Sequence, residues 1–178
     1  MRVISGKYKG RKILIPRTDL RPTLDRTKQT LFNILQFDIE GATVLDLFAG
    51  SGSLGIEAHS RGASKVVFVD SNQTACECIK ANCNQVMCNG KIYKSDYNVA
   101  LANMGDKFDI IFIDPPYESD YCVQCLHLIS RYRLANECCI IACEHSADTT
   151  MPECVDSFIK YRDRVMGRVT FSFYRIKE

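Results

Sequence analysis

A chain of 178 residues has room for one domain with a core large enough to stand without disulfide or metal staples. Its composition, 46% hydrophobic and 25% charged, is that of an ordinary globular protein, and no apolar run nears the roughly 20 residues that span a bilayer. The net charge of +2 is unevenly divided: residues 1–28 hold nine basic residues against two acidic, +7, and the remainder 14 against 19, −5, a basic arm on a mildly acidic body that suits a polyanionic partner.

In chain order, Val3 to Gly6 and Arg11 to Ile15 flank a turn ending at Gly10, which predicts a basic N-terminal hairpin stopped by Pro16. Arg21-Pro22-Thr23 leads into a helix, with Thr23 as its cap and Leu24, Leu31, Ile34 and Leu35 at helical spacing through about Phe37. Thr43 to Phe48 reads as a short apolar strand and Ser53 to Arg61 as a helix closed by Gly62. Lys65 to Val69 is a second strand ending at Asp70, after which Ser71 caps a helix to about Val86. Lys91 to Lys94 follows as a strand, and Tyr97 to about Met104 as a short helix. Phe108 to Ile113 is a fourth strand, stopped by Pro115-Pro116. Residues 119–130 read as a helix and Glu137 to Cys143 as a fifth strand. The tail, Phe158 to Val165 and Arg168 to Ile176 around Met166-Gly167, predicts a closing antiparallel hairpin. Apolar strands alternating with amphipathic helices imply a mainly parallel sheet covered on both faces, a single α/β domain over 1–178 with residues 1–22 as its basic arm.

Met1 to Gly6 lacks the make-up of a signal peptide, so a cytoplasmic location is expected. Ten cysteines in such a chain read as small buried hydrophobes rather than as a disulfide framework. Cys122 and Cys125 form a lone CxxC, and no metal is expected. His59, His127 and His145 share no motif and read as helix or loop residues.

In sheets of this type ligands lie beyond the carboxyl ends of the strands. The first strand runs into Asp46-Leu47-Phe48-Ala49-Gly50-Ser51-Gly52-Ser53-Leu54-Gly55. Gly50, Gly52 and Gly55 fit the dinucleotide spacing, and Asp70 lies 20 residues beyond Gly50, so a nicotinamide-dependent oxidoreductase has to be weighed. Two features weigh against it. Asp46 is a carboxylate inside an apolar strand, costly without a partner; a cationic amino group would justify it and a pyrophosphate would be repelled, while its alternative use is to cap nearby backbone N–H groups. Asp114-Pro115-Pro116-Tyr117 ends the fourth strand with two N–H donors removed, acceptors exposed and a flat ring, a receptor for a planar group bearing an amine.

Asp46 to Gly55, Asp70, Ser95-Asp96 and Asp114 to Tyr117, in this order, resemble the amino-group methyltransferases that use S-adenosylmethionine. With Met1 to Arg11, Leu20 to Arg26 and Leu31-Phe32-Asn33 added, almost the whole chain resembles the bacterial 16S ribosomal RNA guanine-N2 methyltransferase family. The resemblance implies a Rossmann-like methyltransferase fold, a mainly parallel seven-stranded sheet with a C-terminal antiparallel hairpin. It implies a cofactor set of Asp46, Phe48, Gly50, Ser51, Gly52, Asp70, Ser71 and Asp96, in which Asp46 faces the methionine end, Asp70 accepts from the ribose hydroxyls and Asp96 from the adenine amine. It also implies that Asp114, Pro115, Pro116 and Tyr117 hold the target base. The expected partner is 16S ribosomal RNA or the small subunit, met by Lys7, Lys9, Arg11, Lys12, Arg21 and Arg26 at phosphates and by Tyr8 stacking on an unpaired base, with the protein a monomer. A DNA or other RNA amino-methyltransferase and a non-catalytic RNA-binding assembly factor remain as alternatives.

Overall fold

Val44, Leu45 and Leu47 are fully buried, which makes Thr43–Leu47 (β1) an interior strand. The computed structural model describes residues 1–16, 25–116 and 120–177. Before β1 stands α1 (Asp25–Ile34). After it come α2 (Ser53–Ser60), β2 (Lys65–Asp70), α3 (Gln73–Gln85), β3 (Lys91–Lys94), α4 (Tyr97–Ala102) and β4 (Phe108–Ile113). Then follow α5 (Tyr121–Tyr132), β5 (Ala135–Ser146), β6 (Cys154–Val155), β7 (Phe158–Met166) and β8 (Val169–Ile176). The strands lie in one sheet in the order β3-β2-β1-β4-β5-β8-β7-β6. Pairing is parallel from β3 to β5 and antiparallel from β5 to β6. Because the chain builds outward in one direction from β1 and then resumes on its other side at β4, a crevice opens at the carboxyl ends of these two strands.

Alternation sends Val44, Phe68, Phe112, Phe171 and Phe173 to one face of the sheet, under Phe32 and Leu35. Leu45, Val67, Ile111, Ile113 and Cys143 go to the other, against Leu126 and Ile129 of α5. Both faces are therefore dry, as a mostly parallel sheet requires.

The Rossmann-like α/β fold expected from the sequence is the one observed, with an eighth strand of two residues, β6, beyond the seven expected. Strand β5 runs to Ser146 instead of Cys143 because β8 pairs with it from Ile141 to Ser146. His145 is thus a buried strand residue, not one of a helix or loop: its Nε2 lies 2.8 Å from Ser172 Oγ, and that hydroxyl donates to Asp163 Oδ1 at 2.6 Å. Burial lowers the His145 pKa. Ser71 does not cap α3. Asn72 does, its side chain accepting from Thr74 N–H at 2.8 Å and Ala75 N–H at 3.2 Å. Thr23, the expected cap of the first helix, lies outside the described residues.

The cysteines behave as small apolar groups: seven are buried and all ten are free thiols, Cys122 and Cys125 of the CxxC among them. Among the described residues no group of three or more His, Cys, Asp or Glu side chains is placed to hold a metal ion, and no helix is long and apolar enough to cross a membrane.

The N-terminal segment is the expected hairpin, though a short one. Around the antiparallel bridge of Arg2 with Lys12, the Val3 N–H donates to the Arg11 carbonyl at 2.9 Å, the Gly10 N–H to the Val3 carbonyl at 2.9 Å and the Ile13 N–H to the Met1 carbonyl at 3.1 Å. What fixes it is α2. The Glu57 carboxylate, fully buried, accepts from the Ile4 N–H at 2.7 Å, the Ser5 N–H at 3.0 Å and Arg61 Nε at 2.8 Å. Lys28 of α1, also fully buried, places Nζ 3.5 Å from Glu57 and donates to the Arg2 carbonyl at 2.8 Å. Burial lowers the Lys28 pKa, opposed by the attraction of Glu57. Gly6 completes the seam, since a Cβ there would lie 1.8 Å from the Ser60 carbonyl oxygen. The arm, α1 and α2 thus share one carboxylate. Glu57→Gln is expected to cost about 3–5 kcal/mol in urea unfolding, because it leaves Lys28 buried without its counter-charge; a cost below about 1 kcal/mol would show that the seam does not depend on this charge.

Candidate active site

The crevice between β1 and β4 is closed below by a turn of unusual backbone. Phe48, Gly50 and Gly52 have φ of +59°, +55° and +75°, and the left-handed values at the glycines are ones a side chain would strain. The Ala49 N–H donates to the Val69 carbonyl at 3.0 Å and the Gly50 N–H to Asp70 Oδ2 at 2.8 Å, which ties the turn to β2. From the turn α2 runs back over the sheet. A Cβ on Gly55 would sit 2.3 Å from the Phe68 ring, so glycine is what lets this helix close onto the strand.

That approach brings the Gly55 N–H to Asp46 Oδ2 at 2.9 Å. Asp46 is buried at the end of β1, so the capping use of this carboxylate is realised in the fold. Burial is the larger effect and one N–H does not offset it; with Asp70 nearby, the carboxyl is pushed up to about 7. The group is therefore poised to ionise, its proton lost to solvent, when a cationic neighbour arrives.

Asp70 is half-buried at the end of β2 and also accepts from the Asn72 N–H at 2.8 Å. Each of its oxygens takes one N–H and keeps a second lone pair for a ligand. Ser51 is buried and Ser71 exposed. Asp96 is exposed at the start of α4, just past the end of β3, and makes no side-chain cap. Asp46, Asp70 and Asp96 leave this end of the sheet acidic, a poor seat for a pyrophosphate.

Across the crevice β4 ends at Ile113, followed by Asp114, half-buried, Pro115, buried, and Pro116, exposed. Tyr117 lies outside the described residues. Two features here were missed in the sequence. Glu144, buried, follows Cys143, the β5 partner of Ile113, and so stands beside Asp114 where β4 leaves the sheet and β5 continues; a carboxylate ending an apolar run was the available signal, as at Asp46. The second is an aromatic group. Phe48 stacks on Tyr121 at 5.7 Å and 14° and meets Tyr97 at 5.3 Å, with Tyr97 and Tyr121 5.1 Å apart. The Tyr97 hydroxyl donates to the side chain of Gln124. Tyr97 and Tyr121 begin α4 and α5, one residue beyond Asp96 and Asp120, and Phe48 follows the last residue of β1.

The arm presents Lys7, Lys9, Arg11 and Lys12 to solvent, and Arg26 is exposed in the first turn of α1. Arg21 lies outside the described residues. Tyr8 departs from expectation. It is 9% exposed, its backbone N–H is held by Ser60 Oγ at 3.0 Å, and its ring stacks on His59 at 5.6 Å and 16°. A ring locked in this way is not free to stack on a base. Farther along, Asn82 of α3 links the arm to the glycine turn. It accepts from the Leu14 N–H at 2.8 Å and donates to the carbonyls of Leu14 and Ser51, each at 2.9 Å.

Sheet order, glycine turn and strand-end carboxylates together define a Rossmann-like fold of the methyltransferase type. The chain matches the family described as Conserved hypothetical protein 95 across residues 1–175, and it belongs to that family. It is 36% identical over 181 residues to the Bacillus subtilis (strain 168) protein YlbH, covering 98% of each chain. It is 30% identical over 177 residues to the "Ribosomal RNA small subunit methyltransferase D" of Escherichia coli (strain K12), covering 98% of this chain and 89% of that one. The solved structure of the Escherichia coli protein yhhF superposes with a TM-score of 0.87 at 31% identity, over 99% of this chain and 98% of that chain.

The raised Asp46 pKa has a direct consequence for stability. Its folded value lies above its unfolded one, so its favourable contribution is complete below the unfolded value and is lost as pH rises through about 7. Ligand-free protein should therefore lose melting temperature between about pH 5 and pH 8, and Asp46→Asn should flatten that part of the profile. Parallel profiles for the two proteins would show that the carboxyl is ionised throughout.

Proposed function

We propose that the protein transfers a methyl group from S-adenosylmethionine to the exocyclic N2 amine of a guanine in 16S ribosomal RNA, presented by the small subunit during or after assembly. In this reading residues 1–178 form one catalytic unit that works in the cytoplasm as a monomer. The observation that carries the reading is the pair of acceptor groups facing one crevice: buried Asp46 behind the glycine turn at the end of β1, and Asp114 with the two prolines at the end of β4. The names of relatives at 30% identity or more support a ribosomal RNA substrate.

The residues present suit S-adenosylmethionine. A carboxyl poised near neutrality can accept from an ammonium, where a pyrophosphate would meet two carboxylates. Asp46 with Gly50, Ser51 and Gly52 would hold the methionine end, the free lone pairs of Asp70 the ribose hydroxyls, and Asp96 the adenine amine, with Phe48 in the apolar wall beside it. Ser71, exposed beside Asp70, completes the set. When bound, this cofactor supplies a methyl group already activated on a sulfonium.

The work left to the chain is positioning and charge. Guanine N2 is a weak nucleophile because its lone pair is delocalised into the ring. Hydrogen bonds from that amine to the Asp114 carboxylate and the Pro115 carbonyl would favour a pyramidal nitrogen with its lone pair free. Asp114 would then stabilise the positive charge that grows on nitrogen as the N–C bond forms, in a geometry fixed beforehand by the two prolines. Tyr117 would stack on the base, which must leave its own stack to enter.

Asp114→Asn should lower single-turnover methyl transfer to unmodified small-subunit RNA by at least about 100-fold while leaving cofactor binding within about threefold, the pattern of a group that acts on the transition state. Unchanged transfer would remove Asp114 from the chemistry. Mapping the labelled base identifies the target atom: label on an adenine or cytosine amine, or on DNA, would replace the guanine assignment. Replacing Lys7, Lys9, Arg11 and Lys12 together with Ala should weaken RNA binding and flatten its dependence on salt. An unaltered salt slope would take the arm out of the interface.

A further inference from the structure

We propose that the β7–β8 hairpin is a second contact surface for the RNA phosphate backbone, formed by Arg162, Arg164 and Arg168 and bounded by Tyr161 and Arg175. The inference rests on the reading that the substrate is RNA.

Strand β7 is paired on one side by β8 along its length, but on the other β6 reaches only Phe158 and Ile159. Residues 161–165 are all exposed. The side chains there are sorted by face. Arg162 lies opposite Phe173 and Arg164 opposite Phe171, and directly opposed residues share a face. Both phenylalanines belong to the core layer that contains Phe112 and Phe32, so the two arginines stand on that side of the sheet. Tyr161 joins them, its ring 6.2 Å from Phe173 and 5.7 Å from the Arg175 guanidinium. The acid of this strand points the other way: Asp163 accepts from the Ser172 hydroxyl at 2.6 Å and pairs with Lys160 at 3.0 Å. On this face β7 itself carries arginines and no acid, Asp38 being the carboxylate that acts on Tyr161 from the segment after α1, and among the described residues Arg162, Arg164 and Arg168 take part in no ion pair.

Register places this face at the catalytic end of the molecule. Arg164 opposes Phe171, Phe171 opposes Glu144, and Glu144 stands beside Asp114 just past the pairing of Ile113 with Cys143. Three interstrand steps thus separate Arg164 from the proline turn, about 14 Å along one edge of the sheet. Arg168, in the hairpin tip, accepts at its carbonyl from the Ala147 N–H at 3.0 Å, just past the end of β5. A strand of nucleic acid whose base entered the crevice would have its flanking backbone within reach of these guanidiniums. The basic arm serves a different place: its Lys7 to Gly10 turn is fastened at Ser60, at the end of α2 remote from the glycine turn, about 12 Å of helix away.

Two partners fit an exposed edge strand, a nucleic acid or an added protein strand. Charge decides between them. Strand addition is guided by pockets for alternate side chains, and arginines along an edge oppose it. Guanidiniums without carboxylate partners match phosphate oxygens.

The test compares wild type with R162A/R164A/R168A, using protein-free small-subunit RNA and small-subunit particles lacking the modification, with binding measured across a potassium chloride series. The triple variant is expected to bind both RNA forms at least about 10-fold more weakly, with the slope of log affinity against log salt reduced by about 2, while R162K/R164K/R168K stays close to wild type. Thermal stabilisation by S-adenosylmethionine should be the same for all three proteins, which separates the effect from misfolding. An unchanged salt slope on both RNA forms overturns the proposal, as would follow if the arginines merely guard the edge against self-association. Loss on the particle with protein-free RNA unaffected also overturns it, and assigns the edge to a ribosomal protein. A wild type that transfers no methyl to either form refutes the proposed reaction, whereas the salt slopes still decide the hairpin's role in RNA binding.

Discussion

A carboxylate taken out of water at the end of β1 sets most of what surrounds it. Asp46 has to be met by a donor, and the Gly55 N–H meets it at 2.9 Å because α2 lies against Phe68 more closely than any side chain at that position would permit. To start there, the chain must turn sharply after β1, and the left-handed residues Phe48, Gly50 and Gly52 carry that turn. The turn in turn places the Gly50 N–H on Asp70 and the Ser51 carbonyl on Asn82. One buried charge thereby positions the ends of β1 and β2, the start of α2 and a contact to the arm. That charge is also incompletely satisfied, which is the property a cation-binding site needs.

The sheet was legible from the sequence because its signals are local and redundant. Val66 to Val69 and Ile110 to Ile113 are apolar runs too short for helices and bounded by polar ends, and prolines stop β4 at the residue expected. The site carboxylates were legible for the opposite reason: Asp46, Asp70 and Asp114 interrupt or end apolar strands, where a charge has to be explained. What failed depended on partners far along the chain. Strand β5 is longer than its apolar run because β8, some 30 residues on, supplies hydrogen bonds to Glu144, His145 and Ser146. Tyr8 looked like a ring for stacking on a base because it sits among lysines, yet His59 and Ser60, about 50 residues later, take it first. Ser71 and Asn72 are both good caps, and which one serves depends on where the helix axis enters the layer, something propensity does not encode. The Tyr97–Tyr121–Phe48 group had no sequence signal beyond three aromatics near strand ends.

The arm is the part of the reading that changed most. Charge alone described a basic appendage. The structure instead shows a strap, with Glu57 as its anchor, Lys28 beneath it and Asn82 at its other end. Its lysines and arginines remain on the surface, so the electrostatic argument for a polyanion stands, but they are carried on a rigid seam. With the arginines of the β7–β8 hairpin on another side of the crevice, the basic surface is divided between two fixed elements rather than concentrated on one mobile tail.

The Glu57 seam also limits how this fold can be diversified. A segment bound through its backbone N–H groups to a carboxylate on one helix and a hydroxyl on the same helix tolerates variation in its exposed side chains, though not at Gly6 or at buried Val3 and Tyr8, since main-chain donors are common to every sequence except proline. Its receptor has no such latitude. Grafting the strap of one homologue onto the body of another should therefore succeed wherever the recipient keeps Glu57, Ser60 and Lys28, and fail where it does not, so that the basic residues can be exchanged only between bodies that share this receptor.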